Sequence, residues 1–258
     1  MGSGHVHEAP LEASYFGRLD ARAKILAIVP AVFLVNLLPE AEWPAVAAVG
    51  IIFLVLASFS RHGAWTVFKR AALALPFVLF VVVTLPFAAA GTEIFSINLG
   101  VGRLVATDEG LTRAAEVALR AGTSILGIML LSATTEAPAL FKGLRAMGFP
   151  KAFVAVLAIV YRYVFEMAGE LVRLRRAAAA RGFEIKNFRA APRLADMSGA
   201  LLVRSVARSE RVHHAMAARG YDGEVRTLSH GHFGAREAIF LGAFYLSIAA
   251  AVMAVIYA

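Results

Sequence analysis

Residues Ala238–Ala258 read AIFLGAFYLSIAAAVMAVIYA, without one charged side chain. A helix needs about 20 apolar residues to cross ~30 Å of hydrocarbon, so this stretch predicts a membrane span. Working back along the chain, Ala121–Ala133, Ala71–Ala90, Trp43–Phe59 and Ile25–Pro39 have the same character. The first and last of these four are short and must borrow polar flanks. Hydrophobic residues make up 59% of the chain and charged residues 17%, against roughly 45–50% and 25% in soluble domains. Mean hydropathy is +0.69. A soluble core hides two such blocks, hardly five. The sequence therefore predicts an all-α integral membrane protein, with about five transmembrane helices plus amphipathic helices at the cytoplasmic interface.

A net charge of +8 invites a nucleic-acid partner, but the positive residues flank the apolar blocks, as the positive-inside bias requires. Arg18, Arg22 and Lys24 precede the first block, while Glu40 and Glu42 follow it; Arg61, Lys69 and Arg70 separate the second from the third. This pattern predicts a cytoplasmic N-terminal segment over 1–24 and a four-helix transmembrane region over 25–134. A cytoplasmic region over 135–236 and a last span over 237–258 follow. The protein is then multi-pass in the cell (inner or plasma) membrane, and the Gly91–Arg120 connection, with mixed charge, lies outside. No cleavable signal peptide is expected, because Pro39-Glu40-Ala41-Glu42-Trp43 follows the first block. Cysteine is absent, which excludes disulfides and thiolate metal sites.

The cytoplasmic stretch reads as three helices. Thr135 resembles a cap with Pro138 just inside the first, which Gly148 ends. Pro150 opens the second, reaching Arg181. Its half from Phe153 to Val164 is apolar enough to be a sixth span. Arg162, Glu166, Glu170 and Arg173 nevertheless form one polar stripe, and a span would carry Arg173, Arg175, Arg176 and Arg181 outside. The expectation is an amphipathic helix lying on the membrane. The third helix runs from about Pro192 to Arg219, with Arg204, Arg208 and Arg211 on one face.

Both long helices end on the same phrase. Ala179-Ala180-Arg181-Gly182-Phe183-Glu184 returns 38 positions on as Ala217-Ala218-Arg219-Gly220-Tyr221-Asp222. Arginine followed by glycine is ordinary helix capping: the cation faces the negative end of the dipole, and glycine takes the left-handed turn. Capping requires neither the alanine pair nor the aromatic. Small residues admit a close partner surface, and a guanidinium offers a rigid fork of donors. The repetition favours paired docking points for a two-fold partner.

Those two motifs resemble the signature of energy-coupling-factor (ECF) T components, the transmembrane coupling subunits of a branch of ABC importers. The segment Leu19-Asp20-Ala21-Arg22-Ala23-Lys24 is similar to that family's Leu-Asp-Pro-Arg-x-Lys entry to the first span, with Ala21 in place of proline. Ser132-Ala133-Thr134-Thr135-Glu136-Ala137-Pro138 resembles its Thr-Thr-containing start of the first coupling helix. Helix order and the basic N-terminus look closest to the cobalt-transport CbiQ branch. The resemblance implies two ATP-binding cassette ATPase subunits and a substrate-binding (S) membrane subunit as partners, within the lipid bilayer. It also implies that Arg181 and Arg219 dock the ATPases, while Ala180, Gly182, Ala218 and Gly220 shape the approach.

The chain itself shows no chemistry. There is no Gly-x-x-x-x-Gly-Lys-Ser/Thr phosphate loop, so ATP hydrolysis belongs to a partner and no cofactor is expected. The four aspartates, Asp20, Asp108, Asp196 and Asp222, are too scattered for a membrane transferase. His5/His7, His213/His214 and His230/His232 suit either metal binding or solvent, and no metal site is expected. Pro30, Pro76 and Pro86 are candidate kinks. Ala243, Ser247 and Ala251 form a small-residue seam for packing inside this subunit or against a partner. A stand-alone secondary transporter is the alternative, but no inverted repeat is visible. A membrane enzyme holding an anionic lipid on Arg204, Arg208 and Arg211 would lack an acid, base or metal beside them.

Overall fold

Each apolar block becomes a helix, because in hydrocarbon every backbone amide must find its partner within the segment. The computed structural model describes residues 19–39, 42–59, 67, 69, 71–72, 74–88, 92–98, 103–182, 191–223 and 233–256. In chain order these form α1 (Ala21–Leu37), α2 (Trp43–Ser58), α3 (Leu75–Ala88), β1 (Glu93–Asn98) and β2 (Arg103–Thr107). There follow α4 (Asp108–Thr134), α5 (Ala137–Ala146), α6 (Lys151–Ala180), α7 (Ala191–Ala218) and α8 (Ala235–Ile256). Apart from the antiparallel β1–β2 hairpin, the elements among the described residues are all α-helices. Helices α4, α6 and α8 are long and apolar enough to cross a membrane, and Trp43–Ser58 and Pro76–Phe87 are shorter apolar helices. It is a multi-pass membrane protein.

Two compact units divide the chain: Met1–Gly143 with Gly231–Ala258, and Leu144–His230. In the first, α4 packs against α1, α2 and α3, while α8 lies on α1 and α2. The core runs through Ile28 and Val35 of α1, Val49 and Phe53 of α2, Leu130 of α4, and Phe244 and Ile248 of α8. Glycines let the backbones approach where the hydrophobic effect offers little help. A Cβ on Gly127 of α4 would lie 2.8 Å from the Phe53 ring and 3.0 Å from Val32; one on Gly110 would lie 2.8 Å from the Pro86 Cα. Asn36, the polar residue of the first apolar block, donates to Ser124 Oγ at 3.1 Å and to the Val32 carbonyl at 2.8 Å.

Three features depart from the sequence expectation. Helix α4 begins at Asp108, well before the apolar block at Ala121, so the Gly91–Arg120 connection contains a hairpin and the first half of a helix. Its start is well built: Thr107 Oγ1 accepts from the Gly110 N–H at 3.2 Å, and Asp108 and Glu109 complement the dipole in the first turn. Arg120 is satisfied by the Pro39 carbonyl at 2.8 Å. Next, α8 buries Phe244 and Ile248, leaving Ala243 and Ser247 of the small seam exposed; of the two uses expected for that seam, this departs only from packing inside the subunit. Phe244 stacks on Phe53 at 6.4 Å, and Tyr245 donates to the Leu26 carbonyl at 2.5 Å. Finally, Pro30 and Pro86 lie inside helices, but Pro76 stands in the first turn of α3, where a missing N–H costs nothing.

Overpacking follows from the contact at Gly127. Gly127→Ala is expected to lower stability by about 1–3 kcal/mol, read as an earlier thermal unfolding midpoint in detergent. Gly122→Ala, on the preceding turn with no atom within 4 Å of its added Cβ, serves as the control and leaves the midpoint unchanged or raised.

Candidate functional site

The repeated phrase occupies two helix ends built alike. Gly182 (φ +75°) follows α6 and Gly220 (φ +74°) follows α7, both in the left-handed region. The Gly182 N–H donates to the Ala179 carbonyl at 3.0 Å, and the Gly220 N–H to Ala217 at 3.0 Å. Tyr221 N–H reaches back to the Met216 carbonyl at 3.1 Å, completing a Schellman closure. The α5 end repeats the device at Gly148 (φ +95°), with Phe149 N–H on the Leu144 carbonyl at 3.2 Å. Phe183 and Glu184 lie outside the described residues.

Capping is thus performed by glycine and backbone. Arg181 and Arg219 contribute no side-chain bond to it: both are exposed, and among the described residues neither guanidinium makes a hydrogen bond or ion pair. Ala180 and Ala218 are exposed beside them. Two exposed arginines, each beside an exposed alanine, are what remains among the described residues after the helix ends are accounted for.

The second unit joins α6 to α7 by charge. On α6, Glu170 accepts from Arg173 of its own helix at 2.9 Å and from Arg204 of α7 at 2.8 Å. Glu166 accepts from Arg208, whose other nitrogen lies 3.9 Å from Glu170. The residue numbers rise on one helix as they fall on the other, so the helices run in opposite senses at their crossing. The 38-residue offset that relates Arg181 to Arg219 also relates Glu166 to Arg204 and Glu170 to Arg208. Each carboxylate therefore pairs with the repeat-mate of the other. Arg181 lies eleven residues beyond Glu170, and Arg219 eleven beyond Arg208, about 16 Å of helix in each case. The crossing leaves two arms of equal length with an arginine at the end of each. Beside it lies a cleft of about 250 Å³ lined by Met167, Glu170, Val203, Arg204, Ala207, Arg208 and Arg211.

The sequence displayed the stripe on α6 and the arginine face on α7 separately; the signal that joins them is the offset of the repeat. A second juxtaposition has no such signal in the sequence. Lys24 is 1% exposed, and its Nζ donates to the Thr134 carbonyl at 3.0 Å, placing an ammonium at the C-terminal end of α4. Asp20 caps α1 through the Arg22 N–H at 3.0 Å. A Cβ on Gly143 of α5 would lie 3.1 Å from Ile25 and 3.4 Å from the Arg22 nitrogen. The opening segment, the Thr-Thr segment and α5 thus meet at one joint. Thr135 does not cap α5: it ends α4 in extended conformation, and its buried Oγ1 has no partner among the described residues.

His213 and His214 are exposed, with ring centroids 5.8 Å apart; His5, His7, His230 and His232 lie outside the described residues. Among the described residues no three His, Asp or Glu side chains gather as a metal site.

Comparison with known proteins adds a family. The profile described as CbiQ, cobalt transport protein, matches residues 12–229. The cobalt transport protein CbiQ of Rhodobacter capsulatus is 30% identical over 148 residues, covering 57% of this chain and 61% of its own length. An uncharacterized protein of Methanocaldococcus jannaschii is 23% identical over 230 residues, covering 86% of this chain and 77% of its own. A Methanocorpusculum labreanum protein, named as a fused cobalt transport protein CbiMQ, is 28% identical over 128 residues. That alignment covers 49% of this chain and 21% of the fused protein.

The division of labour at the motif is testable by thermal unfolding. Gly220→Ala forces a side chain into the left-handed region and should cost about 1–2 kcal/mol. Arg219→Ala loses only a dipole interaction at an exposed end, under ~1 kcal/mol. Equal losses would return the arginine to a capping role.

Proposed function

The chain belongs to the CbiQ family of cobalt transport proteins, and from that membership we propose that it is the transmembrane coupling (T) subunit of an ECF-type ABC importer for cobalt. The observation that carries this reading is the pair of exposed arginines at the ends of two equal arms. Each arm end, Ala180-Arg181-Gly182 and Ala218-Arg219-Gly220, enters a groove on one of two ATP-binding cassette subunits. The alanines allow close approach, and each guanidinium binds acidic groups there. ATP hydrolysis takes place on those partners, because this chain has no phosphate loop. A separate membrane subunit binds the substrate, a division of roles supported by the relative whose name denotes a fusion, CbiMQ.

In this mechanism ATP binding draws the two ATPase subunits together and carries the arms with them. The apolar rows on α6 and α7, including exposed Phe153, Val156, Val160, Leu202 and Val206, pass that movement to the substrate-binding subunit and reorient it in the bilayer. In this reading the region over 135–236 is cytoplasmic and so is the N-terminus, which the distribution of Lys and Arg supports. Helix α6 has the length of a span, but Glu166, Glu170 and Arg173 along it suit a position at the membrane surface.

Removing one partner of a desolvated charge pair costs about 3–5 kcal/mol, and a rim-exposed pair is worth about 0–1 kcal/mol. With both arginines truncated, Arg181→Ala/Arg219→Ala should release the ATPase during purification in mild detergent and abolish cobalt uptake, while membrane insertion is retained. A double variant that still co-purifies with a P-loop ATPase and transports normally contradicts the docking role. Uptake by the purified chain alone would point to a stand-alone transporter instead.

A further inference from the structure

The arms need a fulcrum, and apolar packing does not supply one. Helix α7 has no buried residue among those described, and α6 buries only Val154 and Ala155, near its start. A Cβ placed on Gly169, between the two glutamates, would meet nothing but Arg173 of its own helix at 3.7 Å. At their crossing, then, charged pairs span the two helices, with only half-buried Met167 and Ala207 as apolar neighbours. We propose that Glu166, Glu170, Arg204 and Arg208 are positioning residues: a reciprocal charge clamp that sets the separation of the two docking arginines and serves as the pivot about which the arms turn.

Three observations support the clamp. The pairing is exchange-symmetric, Glu166 with Arg208 and Glu170 with Arg204, under the same 38-residue offset that relates the docking ends. A rotation about that pseudo-two-fold axis treats both arms equally. Arg208 stands between alternative partners, bonded to Glu166 and 3.9 Å from Glu170, so a turn of one helix exchanges acceptors rather than stranding a charge. Finally, each pair has a solvated member, Arg204 at 59% exposed and Glu166 at 43%, while Glu170 (14%) and Arg208 (30%) are more enclosed. Ion pairs of that kind are weak and screened by salt. A well-packed interface is bistable or rigid, whereas a solvated clamp permits small angular changes at little cost.

The role deepens the coupling reading and rests on it for its purpose, but its test does not require the ATPase. The chain has no cysteine, so Ala177→Cys/Ala215→Cys places spin labels at exposed repeat-mates, one on each arm, without background. Electron double resonance on the full chain in nanodiscs should give one narrow distance distribution. Glu166→Gln/Glu170→Gln should lose the narrow peak to a broad one. Reversing all four charges (Glu166→Arg, Glu170→Arg, Arg204→Glu, Arg208→Glu) should restore it. Should either set fail to fold, raising salt to about 1 M, where the Debye length is ~3 Å, broadens the distribution of the otherwise unaltered labelled chain. In the complex, the Gln pair should retain the ATPase on purification but lose uptake. A distribution indifferent to both neutralisation and salt overturns the clamp, as does a folded charge-reversed chain that stays broad. Loss of ATPase binding from the Arg181/Arg219 variant leaves that result untouched, so the two readings fail separately.

Discussion

Two carboxylates one turn apart on α6 face two guanidiniums one turn apart on α7, in reversed order, and the geometry of the candidate site follows from that pairing. It fixes the sense in which the helices cross. It also fixes the point from which each arm is measured, so that two motifs 38 residues apart in sequence become equivalent ends of one device. Charged residues suit this place better than leucines would. An apolar seam between α6 and α7 would gain stability from burial but would lock one angle. A charge lattice specifies register while contributing little to stability.

The first unit solves the opposite problem. Its helices have no hydrophobic driving force between them in lipid, so their association depends on small residues and a few internal hydrogen bonds. Gly127 beneath Phe53, Asn36 against Ser124, and Tyr245 on the Leu26 carbonyl are of that kind. Lys24 is the most demanding of them: a buried ammonium at the end of α4, held in place where α5 begins. It links the opening segment to the turn between α4 and α5.

Composition was enough to read the apolar helices, because burial in lipid leaves its mark on every residue of a span. Gly148, Gly182 and Gly220 were legible as helix ends for a similar reason, since a left-handed position admits few other residues. The reach of α4 back to Asp108 was not legible, because Arg113, Glu116 and Arg120 interrupt its apolar run, and their tolerance depends on interactions such as Arg120 with Pro39. Nor was the working face of α8. The seam at Ala243, Ser247 and Ala251 is a valid packing surface in isolation, but the core had already offered Phe53 as a stacking partner for Phe244. At the site, Arg181 and Arg219 stood out by repetition. Their equal distance from the crossing was hidden, since it depends on which residues of α6 and α7 meet.

The most direct measurement is photo-crosslinking from beside Arg181 and Arg219 in the protein purified with whatever subunits accompany it. A photoreactive phenylalanine derivative replaces Phe183 in one variant and Tyr221 in another, leaving both arginines in place, and the adducts are identified by mass spectrometry. The account predicts that each position captures an ATP-binding subunit, and that a chain carrying both substitutions bridges two of them. Adducts confined to lipid or to another membrane protein from either position would contradict it.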